Sequence, residues 1–134
     1  MLAVKPKSPK PFSYSRKTVE RASRSLVCSP FQVKLLETMR LESVPLTAIA
    51  TGVGVENGYT KHPISELAAE NTLLWLIQVG VLRREVDGQG ITDSFRLTPL
   101  GSQIVEKYQG QAPRTPSWLD RFYNALNRWF RLPF

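Results

Sequence analysis

Residues 73–101 read LLWLIQVGVLRREVDGQGITDSFRLTPLG, and the order of signals in this stretch decides the fold. Leu73-Leu74-Trp75-Leu76-Ile77 has the composition of a buried helix near its end. Gly80 stands just past that end, where the chain needs a left-handed residue and glycine adopts one at least cost. Val81-Leu82-Arg83-Arg84-Glu85-Val86 and Ser94-Phe95-Arg96-Leu97-Thr98 carry strand composition, with the turn signal Asp87-Gly88-Gln89-Gly90 between them. Thr98-Pro99 then supplies an N-cap followed by a proline at the first helical position, so a new helix begins at once.

The run Leu76-Ile77-Gln78-Val79-Gly80-Val81-Leu82-Arg83-Arg84, followed by Phe95-Arg96-Leu97-Thr98-Pro99-Leu100-Gly101, resembles the winged-helix variant of the helix-turn-helix. In that family these residues mark the end of the recognition helix, the wing and the entry to the last helix. The resemblance covers residues 29–108. It implies a mainly α fold with a small antiparallel β-hairpin, and it leaves function open, because winged helices bind DNA, RNA and proteins alike. The whole chain also resembles an uncharacterised family of small cyanobacterial proteins, a likeness that implies no activity.

At 134 residues the chain suits one core with helical extensions at both ends. It holds no run of about 20 apolar residues, the length that spans a membrane. The opening MLAVKPKSPKPF has lysines and prolines without an apolar segment, unlike a secretory signal. One cysteine, Cys28, makes no internal disulfide and fits a reducing cytosol. The expected location is therefore cytoplasmic or peripheral at a membrane surface.

The formal net charge is +7, and its distribution says more than its sum. Residues 1–28 carry seven Lys or Arg against Glu20, and residues 113–134 carry four arginines against Asp120. Between them, residues 29–112 carry seven basic and nine acidic side chains. Basic ends on a slightly acidic body invert the pattern expected of a DNA-reading domain.

Residues 1–14, without apolar periodicity, are expected to be a disordered basic tail, in which Lys5, Lys7 and Lys10 are candidate contacts to an anionic surface. The domain proper is expected over 15–109. Ser15 caps a first helix to about Val27, with Val19, Ala22, Leu26 and Val27 as its apolar stripe and Arg16 and Lys17 outside it. Ser29-Pro30 repeats the cap-plus-proline signal and predicts a second helix over 30–41. Residues 44–50 match the first strand and second helix of the winged-helix pattern. Residues 51–62, TGVGVENGYTKH, read as an inserted loop of turn formers. Their glycine spacing falls short of a phosphate-cradling motif, which needs a strand before it and a helix after it.

A helix is expected over 63–79, and it occupies the place of a DNA reader. It contains no Lys or Arg, and Glu66 and Glu70 share one face that phosphates repel. The wing offers Arg83, Arg84 and Arg96 as possible contacts, diluted by Glu85, Asp87 and Asp93. Residues 110–116 form a linker with two prolines, and 117–134 an amphipathic C-terminal helix.

On a helical wheel, Trp118, Leu119, Phe122, Tyr123, Ala125, Leu126, Trp129 and Phe130 fill one arc of roughly 160°, and Asp120, Arg121, Asn124, Asn127, Arg128 and Arg131 fill the rest. Three destinations fit this pattern. One is a membrane interface, with Arg121, Arg128 and Arg131 at its anionic groups. Another is the groove of a protein partner or of a second copy. The third is intramolecular cover over the apolar side of residues 73–79.

One histidine, His62, and one cysteine do not assemble a zinc site or a nucleophilic triad. No cofactor and no small-molecule substrate are indicated. The sequence thus predicts a non-enzymatic adaptor or regulatory protein that docks on a protein partner or assembly, with its basic tail and aromatic helix attaching it to a membrane surface or partner. The alternative is a dimeric winged-helix transcriptional regulator, with nucleic acid bound through the wing and tail.

Overall fold

The computed structural model describes residues 14–108 and 116–130. Helices α1 (Arg16–Val27) and α2 (Val33–Leu41) lead into a two-residue strand, β1 (Val44–Pro45), and two short helices, α3 (Leu46–Ile49) and α4 (Thr51–Glu56). Then come α5 (Glu66–Gln78), β2 (Leu82–Asp87), β3 (Gly90–Leu97), α6 (Pro99–Glu106) and α7 (Trp118–Phe130). The described residues are mainly helical, with one small antiparallel sheet in the order β1-β3-β2. This arrangement is compatible with the winged-helix expectation.

The deciding stretch folds as its local signals require. Gly80 has φ 91°, and the two closing hydrogen bonds at the end of α5 run from Gly80 N to Ile77 O (3.0 Å) and from Val81 N to Leu76 O (2.9 Å). That is the paired bonding of a Schellman stop. Thr98 caps α6 by accepting from Gly101 N at 3.0 Å, with Pro99 in the first turn. β3 begins at Gly90, earlier than its composition suggested, because Ile91 pairs across the hairpin with Val86 and only Gly88 and Gln89 lie between the strands. A shift in register between Arg84 and Val86 bends the wing there.

Three expectations are corrected. The second helix starts at Val33 rather than Pro30, because Phe31 bridges to Thr60 and Gln32 N donates to Tyr59 O at 2.8 Å. An extended Phe31 buries its ring in the core, which a helical start would not allow. The fifth helix starts at Glu66 rather than Pro63, where Ser65 Oγ accepts from Ala68 N at 3.1 Å. Residues 51–62 are not wholly loop: α4 occupies the first half, and the Asn57-Gly58 turn follows it.

Of the glycines in that segment, Gly54 serves packing. A Cβ on Gly54 would stand 1.9 Å from Ile49 O, so α4 folds back on α3 only with glycine there. Gly54→Ala is expected to destabilise the chain by about 1–3 kcal/mol, the ordinary cost of overpacking. Urea unfolding checks this, and an unchanged midpoint would contradict the close approach.

The core lies between the sheet and α2, α3, α5 and α6. Leu35, Leu36, Met39, Ile49, Leu73, Leu76 and Phe95 are wholly or almost wholly buried in it. α1 adds Ala22 and Leu26 from one side, and α7 packs on α1 from outside.

Candidate docking surface

α7 is set up by its own first turn. Asp120 N donates to Ser117 Oγ at 3.2 Å, while Ser117 N donates to Asp120 Oδ2 at 2.9 Å. This reciprocal pair is a capping box with aspartate in place of glutamate. Asp120 at the positive end and Arg128 in the last turn both suit the helix dipole.

The helix meets the body with its polar side. Asn127 is 1% exposed, and its Oδ1 accepts from Arg24 Nη2 at 2.9 Å. Trp75 Nε1 of α5 donates to Asn124 Oδ1 at 3.1 Å. The Arg24 guanidinium also lies 5.4 Å from the Tyr123 ring centroid. About half a turn away at 100° per residue, the apolar arc faces outward. Trp118 is 74%, Phe122 51% and Trp129 72% exposed, and Leu119 is exposed beside them. Leu126, within the same arc, is half-buried. α7 therefore packs on the body, as intramolecular cover requires, but with the opposite side from the one expected.

The reason lies in what the body offers at this place. α1 presents a guanidinium and α5 an indole N–H, both donors that need acceptors when covered. Two asparagine amides meet that demand and tolerate burial, where a tryptophan face would leave the donors unmet. Arg24, Trp75, Asn124 and Asn127 are the residues that set the helix's orientation, and sequence reasoning did not single them out. The available signal was the pair of uncharged amides three residues apart on an otherwise charged arc.

The basic candidates divide between structure and surface. Arg16 and Lys17 are exposed on α1, with Arg16 Nε 2.8 Å from Glu20 Oε1. Arg121 is exposed on α7. Arg128 is half-buried, with its guanidinium 5.5 Å from the Trp129 ring centroid. Burial lowers the Arg128 pKa from its ordinary value, and the group stays cationic at neutral pH. Lys5, Lys7, Lys10, Arg131 and the side chain of Phe130 lie outside the described residues.

On the wing, each arginine has a local partner. Arg83 pairs with Glu85 at 2.8 Å and Arg84 with Asp93 at 3.0 Å, while Arg96 Nη2 donates to Leu41 O at 3.1 Å. The Arg84 guanidinium also lies 5.4 Å from the Phe95 ring centroid. On α5, Glu66 and Leu67 are exposed.

A cleft of about 460 Å³ runs from the α1–α2 junction to α7. Phe31 and Ile64 give it apolar walls, and Cys28, Lys61, His62 and Arg121 also line it. Among the described residues, no three His, Cys, Asp or Glu side chains come together as a metal site would require.

No curated protein and no solved structure is detectably similar to the chain. The Npun_F0494-like family, by contrast, matches it over residues 12–128, from the end of the basic tail almost to the end of α7. A match of that extent takes in both the helical body and the outward-facing helix, and the chain belongs to the Npun_F0494-like family.

Proposed function

We propose that this chain is a non-enzymatic docking protein of winged-helix type, which attaches to a larger assembly or surface through α7. The carrying observation is the orientation of that helix: its amides are fixed to the body, and Trp118, Phe122 and Trp129 point away. Three rings this exposed make an apolar patch on the order of a few hundred Å², a size that marks interaction sites on soluble domains. Holding them outward costs hydrophobic burial, and Asn127 shows that the inward side is built for its place rather than loosely laid on it.

DNA reading has less support. The exposed side of α5 carries Asn71 and Gln78 but no Lys or Arg, and Glu66 and Leu67 stand exposed at its N-terminal end. The wing arginines are engaged by Glu85, Asp93 and the Leu41 carbonyl.

The test is sedimentation of cell extract containing the full chain. The wild type is expected in the high-mass fraction. The Trp118→Ser/Phe122→Ser/Trp129→Ser variant is expected to move largely to the supernatant at unchanged thermal stability. Identical distributions would remove the docking reading.

A further inference from the structure

We propose that the outward face of α7 lies in the headgroup region of an anionic lipid bilayer. This rests on the docking reading above and names the partner. At 1.5 Å rise per residue the 13 residues of α7 extend about 20 Å, short of the roughly 30 Å hydrocarbon core. No helix among the described residues is long and apolar enough to cross a membrane. Asn124 and Asn127 hold the helix against α5 and α1, so it can meet a surface only side-on. That is the posture of an interfacial helix.

The exposed residues suit that depth. Trp118 and Trp129 stand near the two ends of the helix with Phe122 between them. Tryptophan, apolar in body and polar at its N–H, favours the boundary between headgroups and acyl chains.

Charge selects among the possible occupants. The helix α1, packed on α7, carries Arg16, Lys17, Arg21 and Arg24 against Glu20 alone. α7 itself carries Arg121 and Arg128 against Asp120. Two segments far apart in the chain thus pack together with Arg16, Lys17 and Arg121 exposed on them. A second copy seated on the aromatic face would bring two such sets of cations near each other, which like charges oppose. A bilayer containing acidic lipids attracts them while taking up the aromatic face.

The experiment uses the full chain with two kinds of vesicle, phosphatidylcholine alone and an equal mixture of phosphatidylcholine and phosphatidylglycerol. Binding to the mixed vesicles is expected, with blue-shifted tryptophan emission. It should be about tenfold or more weaker on phosphatidylcholine and in the Trp118→Ser/Phe122→Ser/Trp129→Ser variant. Arg16→Gln/Lys17→Gln should weaken binding mainly at low salt, where exposed charges are least screened. Circular dichroism verifies that each variant stays folded, which their exposed positions favour.

Absence of binding to mixed vesicles overturns the lipid proposal, as does undiminished binding by the aromatic variant. Self-association of the wild type that the variant loses assigns the face to a second copy and equally overturns it. If vesicle binding fails while the aromatic variant still leaves the high-mass fraction of cell extract, the lipid is wrong and the docking reading stands. If that fractionation is also unchanged, both fall.

Discussion

Replacing Phe95 with alanine is expected to cost about 3–5 kcal/mol, within the range for deleting a fully buried aromatic ring. Phe95 has no exposed surface and lies on β3, the middle strand of the sheet. Its backbone faces Val44 on one side and Arg84 on the other, so this one position joins β1 to the wing. The ring packs in the same core as Leu35, Leu36, Leu73 and Leu76, and the Arg84 guanidinium lies over it. Its loss therefore opens a cavity where sheet and helices meet. Urea unfolding should show a lower midpoint with an unchanged slope. A loss below about 1 kcal/mol would mean that the site collapses around the cavity and that the sheet is not the centre of the core.

The parts of this fold that were legible in the sequence are those fixed by neighbours in the chain. Gly80 closes α5 and Thr98 caps α6 through bonds that span at most five residues, and both could be read from residue type and spacing. Phe31 is different. Its extended conformation depends on Thr60, whose position the local signal Ser29-Pro30 does not encode. Gly54 likewise looks like a turn former until α4 is seen to fold against the Ile49 carbonyl.

The docking face shows the same divide more sharply. Segregation of α7 into an aromatic and a polar arc was legible, because periodicity alone defines it. Which arc turns inward was not legible. That choice is made by Arg24 and Trp75, about 100 and 50 residues away in the chain. A wheel gives the width of a face, and only the partners supplied by the rest of the molecule decide whether burial favours its amides or its rings.

Trp75→Ala is expected to cost about 3–5 kcal/mol as well, but with a second consequence that Phe95→Ala lacks. Trp75 is buried in α5 with its ring in the core, and its indole N–H reaches out to Asn124 of α7. Beside it, Leu74, Gln78, Arg128 and Trp129 line a cleft of about 280 Å³ between the two helices. Removing the side chain therefore takes away core volume and an anchor of α7 together. Trp75→Phe separates the two effects, since it keeps most of the apolar contact and deletes the donor. Its expected cost is about 0.5–1.5 kcal/mol, the net value of a typical hydrogen bond. Amide exchange should then quicken in α7 while α2 and β3 keep their protection. A double-mutant cycle of Trp75→Phe with Asn124→Ala should give a coupling of at least about 0.5 kcal/mol, since the two side chains share one bond. Strict additivity, with unchanged exchange in α7, would mean that the indole does not hold the helix. The outward turn of Trp118 and Trp129 would then rest on the contacts of α7 with α1, the Arg24–Asn127 bond among them, and Arg24→Ala would become the variant that tests them.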